Sequence, residues 1–192
     1  MKLTDTTHGL KHTPLEAVAL EGETLDAYRD FWDRSASVDS LNAIAADTDE
    51  HSFRSTGDAE AQMLRRFVRS GDTVLDVGCG TGRVMEHLGS SCREVHGIDI
   101  SQRMVQEGRE RLAHLANVHF HLGNGYDLGG FGDSSFDVVY SIVALQHMPR
   151  PVAYNYLLES HRVLRQDGVL WFYVPNLLRD DAFAAFHHFS QP

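Results

Sequence analysis

Asp76 stands two residues ahead of three glycines, Gly78, Gly80 and Gly82, in the stretch VLDVGCGTG at residues 74–82. Glycine has no Cβ, so it accepts positive φ and lets another molecule approach the backbone closely. A carboxylate beside such a turn repels a pyrophosphate and suits a ligand that carries an ammonium. A second acid, Asp99, lies 21 residues beyond Gly78, the offset at which a carboxylate takes two ribose hydroxyls in a nucleotide-binding βαβ unit. Together they suit the holding of a nucleoside with a positive charge. The dinucleotide fingerprint G-x-G-x-x-G is not met, because the third glycine falls one residue early. That departure and Asp76 both count against NAD and FAD.

These residues need a scaffold, and the chain supplies an alternating one. Short β-rich runs occur at 73–77, 94–98, 118–122, 137–142 and 169–174, with helical stretches at 82–88, 102–115 (capped by Ser101) and 151–164. Such alternation predicts βαβ units and a mainly parallel, doubly wound sheet with helices on both faces, an α/β Rossmann-like fold. The glycine turn then sits where strand 1 passes into a helix, at the ligand-binding end of the sheet. Ahead of it, Thr24 caps a helix over 25–36, a second short helix spans 39–46, and the polar stretch DTDEHSFRSTG is a loop. Asp58 caps a further helix to residue 69, with Met63, Leu64, Phe67 and Val68 facing inward. The division expected is a helical N-terminal extension over 1–56, acting as a lid, and one compact ligand-binding unit over 57–192.

Composition sets limits. The chain has 192 residues, 42% apolar and 9% aromatic, with a net charge of −10. That is enough for one domain with a sizeable core. Only Lys2 and Lys11 among seventeen basic residues are lysines, and no basic cluster appears, so nucleic acid is a poor partner. No apolar run approaches membrane-spanning length and the N-terminus has no signal-like apolar region, so a cytoplasmic location away from membranes is expected. Two cysteines, Cys79 and Cys92, offer neither a disulfide framework nor metal spacing, and Cys79 reads as a small filler of the turn rather than a nucleophile. No metal is expected.

The octapeptide LDVGCGTG resembles the first motif of class I S-adenosylmethionine-dependent methyltransferases, and the likeness extends from about residue 57 to 175. The resemblance implies that Asp76, Gly78, Cys79, Gly80, Thr81 and Gly82 cradle S-adenosylmethionine and that Asp99 takes its ribose. Ile100 and Met104 would pack on the adenine. Gly123, Asn124 and Gly125 follow strand 3. Asn124 stands where many relatives carry an acid that accepts from the adenine amino group, and its amide oxygen still accepts one hydrogen bond. Ser141, at the end of strand 4, would border the methionine part of the cofactor. Arg54 would pair with the methionine carboxylate and Phe53 would cover it, although a surface arginine is as good a reading.

Methyl transfer asks a protein mainly to align donor and acceptor and to exclude water. A base is needed only where the acceptor must lose a proton. His147, in the segment LQHMP after strand 4, is the candidate, and the alternative is that it merely ties its loop. His51 is a second histidine able to approach; His187 and His188 read as solvated helix residues. The H-x-P spacing also matches the type 11 and type 12 small-molecule branches. The function expected is transfer of a methyl group to an O, N or C atom of a small molecule. The alternatives are aminopropyl transfer, disfavoured because residues 141–147 carry no carboxylate, and a non-catalytic protein that binds S-adenosylmethionine. The family sheet has seven strands, and only five are legible here. Strand 5 is apolar throughout 169–174, the pattern of a strand buried on both faces. A truncated chain or self-association through the strand 5 edge is therefore expected.

Overall fold

The β-rich runs become five strands: β1 Thr73–Val77, β2 Glu94–Asp99, β3 Val118–Leu122, β4 Phe136–Ile142 and β5 Leu164–Tyr173. They come from a computed structural model that describes residues 22–45 and 49–174. The strand order is β3-β2-β1-β4-β5 and every pairing is parallel. The chain steps outward from β1 to β2 and β3, then crosses to the other side of β1 to lay down β4. The order therefore reverses between β1 and β4, and the C-terminal ends of those two strands part to leave a crevice.

Burial follows from this order. Central β1, TVLDV, is buried at all five positions, as a strand covered on both faces requires. Alternate side chains feed two cores. Val74, Val95 and Tyr140 pack with Leu64, Met85 and Val105 on one face. Leu75, Val77 and Val139 pack with Val152, Tyr156 and Val163 on the other. The helices carrying these partners are α2 Glu50–Leu64, α3 Met85–Leu88, α4 Gln102–Arg111 and α5 Arg150–Val163, with α1 Gly22–Ala45 ahead of them.

Three expectations are corrected. The two short N-terminal helices are one continuous helix, α1. The polar stretch read as a loop is the first half of α2. Asp49 caps it, accepting from Ser52 N at 2.9 Å, so Asp58 lies inside the helix, and the boundary drawn after residue 56 also falls there. That cap sets the helical phase and buries Phe53, Gly57, Ala61 and Leu64, leaving Met63 52% and Phe67 40% exposed rather than inward. β5 keeps its apolar run but has no residue fully buried. It is the marginal strand of the described sheet, and Phe172 and Tyr173 are 46% and 52% exposed. The stretch read as helical around His187 and His188 lies outside the described residues.

Candidate active site

The glycine turn is tied to the end of β2. Gly78 and Cys79 both donate their N–H to the Ile98 carbonyl, at 2.8 and 3.1 Å. Gly80 N then donates to Asp99 Oδ2 at 2.8 Å, and Ser101 N donates to Asp99 Oδ1 at 2.9 Å. One N–H per oxygen fixes the carboxylate and leaves lone pairs on both oxygens for a ligand. Burial pushes the Asp99 carboxyl above its ordinary range, and the N–H groups of Ser101 and Gly80 oppose that.

Gly78 has φ of 79°, and a Cβ on it would lie 2.3 Å from Ala144 Cβ. No side chain is tolerated there, because the loop after β4 presses on the turn. That loop is forced inward at Val143, whose φ of 61° is unusual for a β-branched residue. The turn and the loop form the floor and one wall of a cleft that is open on one side. Asp99, Ile100, Met104 and Gly125 line this cleft. Tyr28 and Trp32 of α1, His147 and Met148 of the β4 loop and Tyr156 of α5 also line it, and Tyr28 and Tyr156 lie close enough to Asp99 to feel its charge. Trp32 stands edge-on to His147, centroids 5.5 Å apart, and 6.2 Å from Tyr28. Burial raises the Tyr28 hydroxyl to about 12. It lowers His147, whose ring is therefore neutral at pH 7. Gln146 Nε2 approaches His147 Nε2 at 3.3 Å.

The donor set fits a nucleoside with an apolar base. A fixed carboxylate faces the cleft, Ile100 and Met104 offer apolar surface, and Gly78 and Gly125 keep positive φ with no room for a Cβ. A Cβ on Gly125 would meet Ile100 Cδ1 at 2.4 Å.

The other sequence-marked residues stand elsewhere. Asp76 is 4% exposed behind the turn, beside Tyr140. Burial raises its carboxyl to about 8, against the opposing influence of the nearby Tyr140 hydroxyl and the charge of Arg83. Cys79 is buried against Gly97, and burial pushes its thiol up, which removes it as a nucleophile. Thr81 is buried, and Gly82 packs on Phe120 and Leu112. Ser141 donates to the Val77 carbonyl at 2.8 Å and braces β4 against β1. Phe53 is fully buried, with the Arg111 guanidinium 4.6 Å above its ring, and Arg54 pairs with Glu86 at 2.8 Å. His51 is exposed on α2. Asn124 accepts from Tyr126 N at 2.8 Å and Asp127 N at 3.0 Å, and donates to Asp127 Oδ1 at 2.7 Å. Its carboxamide is thus committed to its own turn, and with Gly123 it borders a separate shallow cleft. His96, His119 and His121 cluster on β2 and β3, yet no group among the described residues is arranged to hold a metal.

Val143 and Ala144 line the cleft as expected of the residues that follow strand 4, whereas sequence reasoning missed the cleft roles of Tyr28, Trp32 and Tyr156. The aromatic stripe of α1 was visible, but nothing local tells which ring faces a cleft and which, like Phe31 at 53%, faces solvent.

Comparison with known proteins gives one family. A methyltransferase domain matches residues 74–168. Demethylmenaquinone methyltransferase of Staphylococcus aureus is 33% identical over 149 residues, covering 74% of this chain and 57% of its own length. The O-methyltransferase cnsE of Penicillium expansum is 42% identical over 89 residues, 44% of this chain and 32% of its own. Among solved structures, phosphoethanolamine N-methyltransferase 1 of Haemonchus contortus, in complex with phosphoethanolamine and S-adenosylhomocysteine, superposes with a TM-score of 0.66 at 22% identity. That superposition covers 78% of this chain and 32% of the other, and at this identity it shows the fold. The chain spans between 32% and 57% of the length of the two curated relatives.

Proposed function

We propose, from the premise that the chain belongs to the class I S-adenosylmethionine-dependent methyltransferases, that it moves a methyl group onto a flat small molecule seated in the cleft against the Trp32–His147 pair. The observation that carries this is the convergence on one cleft of a fixed carboxylate, Asp99, with ring-lined walls formed by Tyr28, Trp32, His147 and Tyr156. Bound S-adenosylmethionine would supply an activated methyl group on a sulfonium. Asp99 would hold the ribose hydroxyls, Ile100 and Met104 would flank the base, and Gly78 and Gly80 would border the chain that leads to sulfur.

The protein's remaining work is alignment. The ring-lined walls are aromatic and apolar, which favours a planar acceptor over a charged, strongly hydrated one. His147, neutral at pH 7 because burial lowers its pKa, has a ring lone pair able to take the proton of an acceptor hydroxyl. The acceptor would displace the long contact from Gln146 as it binds. The named relatives agree with this class, being a demethylmenaquinone methyltransferase and an O-methyltransferase. The helix α1 would act as the wall that selects the acceptor. No helix among the described residues is long and apolar enough to cross a membrane. The test is S-adenosylhomocysteine formation with a panel of phenols, hydroquinones and primary amines. Turnover confined to the planar hydroxylated members supports the reading; turnover of aliphatic amines alone, or of none of the panel, overturns it.

A further inference from the structure

One side chain of α1 reaches toward Asp99 without lining the cleft. Asp33 Oδ1 accepts a hydrogen bond from the hydroxyl of Ser101, and also from Arg103 N at 3.3 Å. Ser101 is the N-cap of α4 and is fully buried. Its hydroxyl accepts from Met104 N at 3.2 Å while donating to Asp33, and its own N–H donates to Asp99 Oδ1. A single buried serine therefore joins three parts: the wall helix α1, the first turn of α4 with Met104, and the carboxylate assigned to the ribose. Tyr28 precedes Asp33 by five residues on α1 and Trp32 stands immediately before it, both in the cleft.

The link is placed where it matters energetically. Asp33 supplies a negative charge to the N-terminus of α4, where unsatisfied N–H groups and the helix dipole favour it. The same charge lies close enough to Asp99 to oppose that group's ionisation, a smaller effect than burial. Two carboxylates that share one serine do not settle independently. A ligand whose hydroxyls neutralise the field around Asp99 relieves the repulsion and tightens the whole chain of bonds. Binding at one end then favours docking of α1 at the other, and by linkage the reverse holds.

We propose that Asp33 is a positioning residue that fastens α1 to Ser101, so that cofactor binding at Asp99 and closure of the Tyr28–Trp32 wall are coupled. The proposal rests on the reading of Asp99 as the ribose-binding acid. It assigns to Asp33 no contact with either substrate.

The molecule carries its own reporter. Its two tryptophans are Trp32 and Trp171, so in a Trp171→Phe background Trp32 alone emits, from within the cleft and beside His147. S-adenosylhomocysteine is titrated by calorimetry and by Trp32 emission into this protein and into its Asp33→Ala, Asp33→Asn and Asp30→Ala variants. Asp30 is an exposed residue of the same helix and serves as the control. Asp33→Ala is expected to weaken binding about ten-fold, the scale of one lost hydrogen bond to a charged group. Its Trp32 emission should shift to the red without ligand and return toward the parent value at saturation. Asp33→Asn keeps an oxygen that accepts from Ser101 and Arg103, and should restore affinity to within about three-fold of the parent. Asp30→Ala should match the parent throughout. Equal affinity and equal Trp32 emission in Asp33→Ala overturn the proposal while leaving the cofactor reading intact. A loss that Asp33→Asn fails to restore at all also overturns it. A parent protein that binds no S-adenosylhomocysteine overturns the cofactor reading, and the coupling with it.

Discussion

Substituting Gly78 by alanine tests the packing that forms the cleft. Two separate costs are legible at this position. With φ of 79°, any residue with a Cβ is strained, at about 1–2 kcal/mol. The new methyl would also lie 2.3 Å from Ala144 Cβ, far inside the ~3.5–4.0 Å at which carbon atoms rest. Relief requires the β4 loop to move, an overpacking cost of about 1–3 kcal/mol. The sum is about 2–5 kcal/mol, a large share of the ~5–15 kcal/mol that holds a domain of this kind. Urea unfolding followed by far-ultraviolet circular dichroism reads it as a lowered midpoint at constant slope. The two terms separate in a double-mutant cycle with Ala144→Gly, which removes the colliding atom but leaves the backbone strain. Gly78→Ala should cost about 1–3 kcal/mol less in the Ala144→Gly background. Gly71, which has nothing within 4 Å of its would-be Cβ, is the control, and Gly71→Ala should be neutral or stabilising by up to about 1 kcal/mol. A Gly78→Ala protein within about 0.5 kcal/mol of the parent, or no coupling to Ala144, would refute the argument that the loop presses on the turn.

Two further outcomes follow from the buried titratable groups. The folded state raises the Asp76 carboxyl from 3.8 to about 8, so the stability tied to its protonated form is fully present below about pH 4 and is lost as pH rises through about 8. Asp76→Asn mimics the neutral form; its urea midpoint at pH 8 should exceed the parent's, and that difference should shrink as pH falls toward 4. For His147, replacement by alanine should lower kcat about 10²–10⁴-fold with S-adenosylhomocysteine affinity unchanged if it takes a proton. A modest loss of rate and binding together would mean that it only ties the loop, and an unaltered rate would remove it from the chemistry.

The parts legible in the sequence were those set by short-range pattern. The strands follow from β-rich runs, and the reversal of strand order places the glycine turn beside the end of β4. The position of Asp99 beside the glycine turn was legible because its separation from Gly78 reflects the length of one βαβ unit. What escaped depends on geometry that a single chain segment does not encode. The start of α2 was missed because its first turns are polar; its signals were the Asp49 cap and the spacing of Phe53, Gly57, Ala61 and Leu64, mixed in size and easily passed over. The left-handed Val143, which presses Ala144 on Gly78, breaks the local rule for β-branched residues, and tertiary packing imposes it. Asn124 shows the converse: its position after β3 suggested a ligand contact, while the structure commits it to Tyr126 and Asp127 in an ordinary turn. The apolar content of β5 suggested a strand suited to burial and lacking a neighbour, and at the edge of the described sheet, beside β4 alone, it leaves Phe172 and Tyr173 exposed.

The central claim is that Asp99 and the glycine turn hold S-adenosylmethionine, and calorimetric titration of S-adenosylhomocysteine into the parent protein and into Asp99→Ala tests it most directly. The account predicts micromolar binding by the parent, no binding of NAD, and a loss of about 1.5–3 kcal/mol in Asp99→Ala as hydrogen bonds to a charged group disappear. Absent binding by the parent, or equal affinity in the two proteins, would contradict it.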